Sequence, residues 1–404
     1  MQLLQGGTEY FAALVAALDG SQDEVRMETY IFHMDASGRL VASALERAAA
    51  RGVRVYLAMD GFGTPALPPE WAQRFDGSGV HWRIFSPLGW FGIFLPGQWR
   101  RLHRKLCVVD GSIAFCGGIN ILDDFHDPNH GPLEEPRLDF AVRVTGPLVQ
   151  DALEAMVRFW SRWALSSQVR GNELPAAWQT LQTSMRRVAR DRSRPRDDAP
   201  SELPSRLDGP SGHSARAALV LRDNLRNRSR IERAYLKALG EARQEAIIAN
   251  AYFLPGVRLR KAMVHAARRG VRVRLLLQGR YEYFLQYHAT RPVYGMLLDA
   301  GVEIHEYAAS FLHAKVAVID SRWATVGSSN LDPLSFLLAR EANVVVDDAE
   351  FAGALRSRLE NAMAHGGRLV DAAEFANRPW RQRALEMLAF AAMRLGLLLI
   401  GRRY

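Results

Sequence analysis

Cysteine is nearly absent from this 404-residue chain, and the two present, Cys107 and Cys116, lie in apolar surroundings on either side of an Asp110-Gly111 turn. So few thiols argue against a disulfide framework and read as reduced core residues, which favours a reducing, cytoplasmic setting over a bridged pair. The N-terminus lacks both a basic leader and a long apolar stretch. Its Phe11, Leu14, Val15 and Leu18 instead recur at helical spacing, so an amphipathic first helix is expected there and not a signal peptide. Acidic residues are outnumbered, 43 against 52 basic, for a formal net charge of +9. That excess favours polyanionic partners, nucleic acid or anionic lipid headgroups, without indicating a reaction. Metal-ligand spacing is missing too: His126 and His130 stand loosely in a turn-like DDFHDPNHGP loop, so neither a metal nor another cofactor is expected.

Apolar types, by contrast, make up 48% of the chain, enough for a large interior at a length where one core usually stops growing. Two halves are the natural division, and the sequence repeats accordingly: ERAAARGVRVYL at 46–57 returns as VHAARRGVRVRL at 264–275. Each copy follows a short strand-like run (ETYIF, NAYFL) and precedes a Gly-Val strand (GVHWRIF, GVEIHEY), a strand-helix-strand order that predicts an α/β fold. Tyr30 and Tyr252 of those runs read as core residues. The expected divisions are an N-terminal half at 1–185, a C-terminal half at 217–375 and a tail at 376–404. The intervening 186–216 is rich in proline, serine and charge and reads as a flexible linker.

The tail carries an apolar run from Ala384 to Ile400, about the shortest that could cross a bilayer, interrupted by Glu386 and Arg394. Those two fall on roughly the same side of a helix, within about 80°, leaving a broad apolar face. An interfacial helix with basic, aromatic ends, Trp380 among them, fits better than a spanning one; a helix docked on the core or a dimer contact is the alternative.

Two motifs carry the chemistry. RLHRKLCVVDGSIAFCGGIN contains His103, Lys105 and Asp110, and FLHAKVAVIDSRWATVGSSN contains His313, Lys315 and Asp320. Gly117 and Asn120 follow His103 at the same intervals at which Gly327 and Asn330 follow His313, which makes one joint site far more credible than two isolated histidines. On an extended segment residues two apart share a face, so each His and Lys emerge together while the valines that follow can be buried. Ammonium groups and asparagine amides suit phosphoryl oxygens, and two imidazoles can divide attack on phosphorus from protonation of the leaving alcohol.

This pattern resembles the phospholipase D superfamily, whose hallmark is the duplicated His-x-Lys-x4-Asp motif. Over most of the chain outside the linker, HRKLCVVDGSIAFCGGIN, RVTGP at 143–147, RDN at 222–224, NAYFLPG and HAKVAVIDSRWATVGSSNLDPLS are similar to bacterial cardiolipin synthases, and more so to their shorter type B branch. The resemblance implies two pseudo-twofold-related α-β-α sandwich halves with the active site between them. It implies metal-independent phosphatidyl transfer through a phosphohistidine, with His103 as nucleophile and His313 as general acid and then base. Lys105, Lys315, Asn120 and Asn330 would hold phosphoryl oxygens, while Asp110 and Asp320 would fix the backbone. The family pattern also sets Glu341 beside His103 and Asp139 beside His313, each orienting the histidine of the opposite half as a triad carboxylate does; solvated surface charge is the alternative for both.

The motifs alone do not choose the substrate. The segment SPLGWFGIFLPGQWRR at 86–101 sets Trp90, Phe91, Phe94 and Trp99 just before His103, which suits either a loop dipping among lipid headgroups or a buried flap between halves. With the apolar tail, it favours a membrane substrate over nucleic acid, whose binding would call for basic residues interleaved with stacking aromatics. The expected activity is cardiolipin synthesis at the cytoplasmic face of the cell membrane, the chain being peripheral or anchored by its last helix. Phosphatidylglycerol is the acceptor, with phosphatidylglycerol or phosphatidylethanolamine as donor and an anionic membrane surface as partner. A hydrolytic phospholipase D or nuclease, and a non-catalytic membrane-binding scaffold, are the competing readings.

Overall fold

The computed structural model describes residues 1–87, 99–170, 205–208, 214–223, 227, 229–281, 284–332 and 339–399. Two sheets organise it. The first runs in the order Gln2–Gln5, Phe140–Thr145, Ile113–Gly117, Lys105–Val109, Glu24–Thr29, Arg54–Asp60, His81–Phe85. The second repeats the plan: Ser214–Arg222, Ala339–Asp347, Trp323–Gly327, Lys315–Ile319, Glu245–Asn250, Arg272–Gln278, Glu303–Tyr307, with Ser205–Asp208 and Gly367–Leu369 at its edges. In each half three strands pair in parallel and the motif strands join them antiparallel.

The motif strands are buried on both faces, which is why KLCVV and KVAVI read as continuous apolar runs instead of alternating. One face of each meets helices of its own half. Cys107 and Val109 join the cluster built on Gly6–Asp19 and Ala36–Ala50, and Ala317 and Ile319 join that of Arg230–Glu241 and Val257–Arg268. The other faces meet each other: Leu106, Val108, Ala114 and Val142 share a single cluster with Val316, Val318, Val326 and Val344. The halves are thus one apolar sandwich, and their mutual position is set by packing.

Several expectations need refinement. The first helix forms at Gly6–Asp19 with Phe11, Leu14 and Leu18 buried, but a strand, Gln2–Gln5, precedes it. The expected linker lies largely outside the described residues. Its described part, Ser205–Asp208 and residues 214–216, is strand paired antiparallel rather than structureless. In the tail, Trp380–Leu399 is a helix packed along Phe284–Leu298, as the docked alternative has it, and Glu386 is turned into the protein. It is 2% exposed and takes two hydrogen bonds from Arg378, at 2.6 and 2.8 Å. A buried carboxylate is tolerable only with such a partner. The apolar face expected to be free is present nonetheless: Trp380, Met387, Leu388 and Leu395 are all more than half exposed. Among the described residues no helix is long and apolar enough to cross a membrane.

Candidate active site

Each motif histidine sits where a chain segment of its own half pairs with one from the other half. Arg101–Leu102 runs parallel to Ala339–Arg340, and the His103 N–H donates to the Arg340 carbonyl at 3.1 Å. Leu312 bridges Leu138 in parallel, and the His313 N–H donates to the Leu138 carbonyl at 2.9 Å. The next residue along each partner segment is an acid, so the crossing delivers a carboxylate to each imidazole. Nδ1 of His103 lies 3.0 Å from the Glu341 carboxylate, and Nδ1 of His313 lies 2.7 Å from Asp139. Both acids are buried, so neither is solvated surface charge. The carboxylate claims Nδ1 in each pair, which leaves Nε2 as the free, reactive nitrogen.

The two pairs share one electrostatic site. Both lysines lower the pKa of both histidines, and His103 itself acts on His313. Burial is the larger cause for each ring, and it holds both below the ordinary histidine value, His313 well below. Lys105, sealed from solvent, is brought down to about 7, burial again leading and Lys315 adding repulsion against the pull of Glu341. Each lysine Nζ donates to the carbonyl of its own motif's histidine, Lys105 at 3.0 Å. The carboxylates differ. Burial pushes Asp139 up to about 7. Glu341 is also pushed up by burial, but the His103 ring, its hydrogen bond, Lys105 and Arg222 outweigh that and leave it below the ordinary glutamate value.

Asp110 and Asp320 are not at the reacting centre. Each ends its motif strand five residues beyond the lysine, about 17 Å away at strand rise. There Asp110 accepts the N–H groups of Gln22, Asp23 and Glu24 at 2.8–2.9 Å, and Asp320 those of Arg243, Gln244 and Glu245 at 2.8–3.0 Å. Both adopt positive φ, 51° and 52°, a conformation aspartate tolerates through such local bonds. Asn120 and Asn330 are buried at the ends of their motifs, and Asn120 Oδ1 accepts the Ile31 N–H at 3.2 Å. Trp90, Phe91 and Phe94 lie outside the described residues. Trp99 is half-buried and its carbonyl accepts from Arg101, while Trp380 is 73% exposed.

Four residues of the site escaped sequence reasoning. Tyr30, expected in the core, sets its ring 4.7 Å from that of His103 and 5.2 Å from the Lys105 ammonium. Asp60 and Gln278 end equivalent parallel strands and grip the backbone just before each histidine: Asp60 accepts the Leu102 N–H at 2.6 Å, Gln278 the Leu312 N–H at 2.9 Å. A polar residue closing an apolar strand at the sheet's carboxyl edge, RVYLAMD and RVRLLLQ, was the available signal. The fourth is Ser328, whose hydroxyl donates to Glu341 at 2.6 Å.

Two related α/β halves each contribute one histidine-lysine pair and brace the other's histidine with a carboxylate, and by its relatives the chain is a phosphatidyltransferase of the phospholipase D superfamily. The model of the family described as "Cardiolipin synthase, PLD-like domain" matches residues 14–130 and 235–363, and the chain belongs to that family. It is 37% identical over 395 residues to cardiolipin synthase B of Escherichia coli K12, covering 98% of this chain and 87% of that protein. To cardiolipin synthase A of Pseudomonas putida it is 29% identical over 360 residues, covering 89% and 67%. Among solved structures, phosphatidylserine synthase of Haemophilus influenzae superposes with a TM-score of 0.67 at 14% identity over 98% of this chain and 94% of that one, a likeness of fold.

Proposed function

We propose that the protein makes cardiolipin by passing a phosphatidyl group to a hydroxyl of phosphatidylglycerol at the cytoplasmic membrane surface. The observation that carries this reading is the pair of imidazoles, each held through Nδ1 by a buried carboxylate of the opposite half, with two buried lysines acting on both. In the first step Nε2 of His103 attacks phosphorus, an N–P bond forms and the P–O bond to the leaving glycerol breaks. His313 gives its proton to the departing oxygen. In the second step His313 takes the proton from the acceptor's hydroxyl, whose oxygen attacks phosphorus and frees His103. Lys105 and Lys315 hold the phosphoryl oxygens, and Glu341 stabilises the positively charged phosphohistidine ring. The exposed apolar stripe of the last helix and the net positive charge support peripheral attachment to an anionic bilayer.

The test incubates purified protein with headgroup-labelled phosphatidylglycerol in mixed vesicles, with and without phosphatidylethanolamine. Cardiolipin with released glycerol supports the reading, and cardiolipin made only when both lipids are present makes phosphatidylethanolamine the donor. Phosphatidic acid would show water as the acceptor, and an absence of turnover would leave a binding scaffold.

A further inference from the structure

The two histidine-carboxylate pairs are related by the repeat, yet they are braced differently. After each motif strand the chain turns through matching residues, Gly117-Gly118 and Gly327-Ser328, with matching backbone bonds: the Gly118 N–H donates to Phe140 at 2.9 Å, the Ser328 N–H to Ala342 at 3.0 Å. The side chains differ. The Ser328 Oγ accepts the Ala342 N–H at 3.1 Å and donates to Glu341 Oε2 across 2.6 Å, and the Ala342 carbonyl at 3.3 Å is the poorer acceptor. With its lone pair engaged by that N–H, the hydroxyl has one good use for its proton, the carboxylate. At Gly118 no hydroxyl exists and none would fit, since a Cβ there would stand 2.2 Å from Asp139 Oδ1. Asp139 takes instead the N–H of its own neighbour, Phe140, at 2.8 Å.

We infer that Ser328 is a positioning residue that breaks the symmetry of the site: by donating to Glu341 it keeps that carboxylate ionised and commits His103, not His313, to the attack on phosphorus. This rests on the transfer reading given above. A nucleophilic imidazole must be neutral at Nε2 and must face an anion at Nδ1, because the phosphohistidine ring is cationic; a general acid must hold a proton. The groups facing Glu341 are His103, Lys105, Arg222 from the paired strand and the Cys116 thiol, and the net result is an easily ionised acid. Those facing Asp139 are His313, Lys315, Lys105 and Asp124, with no hydroxyl donor among them, and burial raises Asp139 to about 7, which favours a proton on that side of the site.

Removing the donor makes Glu341 more basic, so the His103–Glu341 pair takes up its proton at higher pH. Ser328→Ala, and Ser328→Gly which copies the residue tolerated at 118, are therefore expected to move the acid limb of kcat/KM for phosphatidylglycerol to higher pH. The alkaline limb and KM should stay in place while kcat falls about tenfold, the order expected for one charge-assisted hydrogen bond. Ser328→Thr keeps the hydroxyl and should restore the profile. Mapping the adduct in the wild-type protein after an alkaline quench should find the phosphatidyl group on His103. An unmoved acid limb in a folded, active Ser328→Ala or Ser328→Gly protein, or an adduct on His313, overturns the inference alone. A wild-type protein inactive on every phospholipid offered overturns the transfer reading and this inference with it.

Discussion

At the scale of single residues, the chemistry rests on which groups carry protons near neutrality. In the proposed mechanism His103 must be neutral to attack, and burial holds its pKa below the ordinary value, so the acid limb of kcat/KM should fall below pH 6.5. The same mechanism needs a proton on the His313–Asp139 pair and a charge on Lys105; with Asp139 and Lys105 both near 7, activity should decline as the pH rises past about 7. Glu341→Gln keeps the shape but removes the anion under the phosphohistidine. It should lower kcat by about 10²- to 10⁴-fold while vesicle binding, measured by sedimentation, is unchanged. A variant that turns over normally would remove Glu341 from the mechanism. The histidines and lysines were legible in sequence because two copies share one spacing. Tyr30, Asp60, Gln278 and Ser328 were not, because each reaches the site through strand register or a turn and carries no repeated signature of its own.

At the scale of elements, the third member of each motif is a clamp. Asp110 ties the end of Lys105–Val109 to the start of Glu24–Thr29 through three backbone N–H groups. Asp110→Ala should therefore cost stability, about 2–3 kcal/mol for lost charge-assisted bonds at a positive-φ position, read as a lowered midpoint of denaturation. Well below that midpoint kcat should change little; a lost kcat with unchanged stability would return Asp110 to the chemistry. The sequence conveyed the βαβ order of both halves, since hydrophobic period and glycine turns are local signals. It left the surroundings of Glu386 open because helical periodicity tells which residues share a side, not which side faces the protein. The strand Ser205–Asp208 went unseen because its partner, Ser214–Arg222, supplies the pairing that its own polar composition does not advertise.

At the scale of the whole molecule, a single chain brings both histidine-carboxylate pairs together among the described residues. The shared apolar cluster and the crossings at 101–102 with 339–340 and at 138 with 312 put Glu341 on His103 and Asp139 on His313 within the same chain. Mixing inactive His103→Asn protein with inactive His313→Asn protein should thus restore no activity, whereas exchange of halves between chains would restore a fraction. The sequence announced the duplication; that the halves close on each other through facing valine-rich sheet surfaces became clear from which side of each strand is buried against which. The most direct test of that joint site is to expose the wild-type protein and the two single-histidine variants to phosphatidylglycerol carrying labelled phosphorus, quench in alkali and locate the label on peptides. A labelled adduct on the peptide containing His103 in the wild type, absent in His103→Asn, is the expected result; cardiolipin formed at the normal rate by either variant, with no histidine ever labelled, would contradict the account.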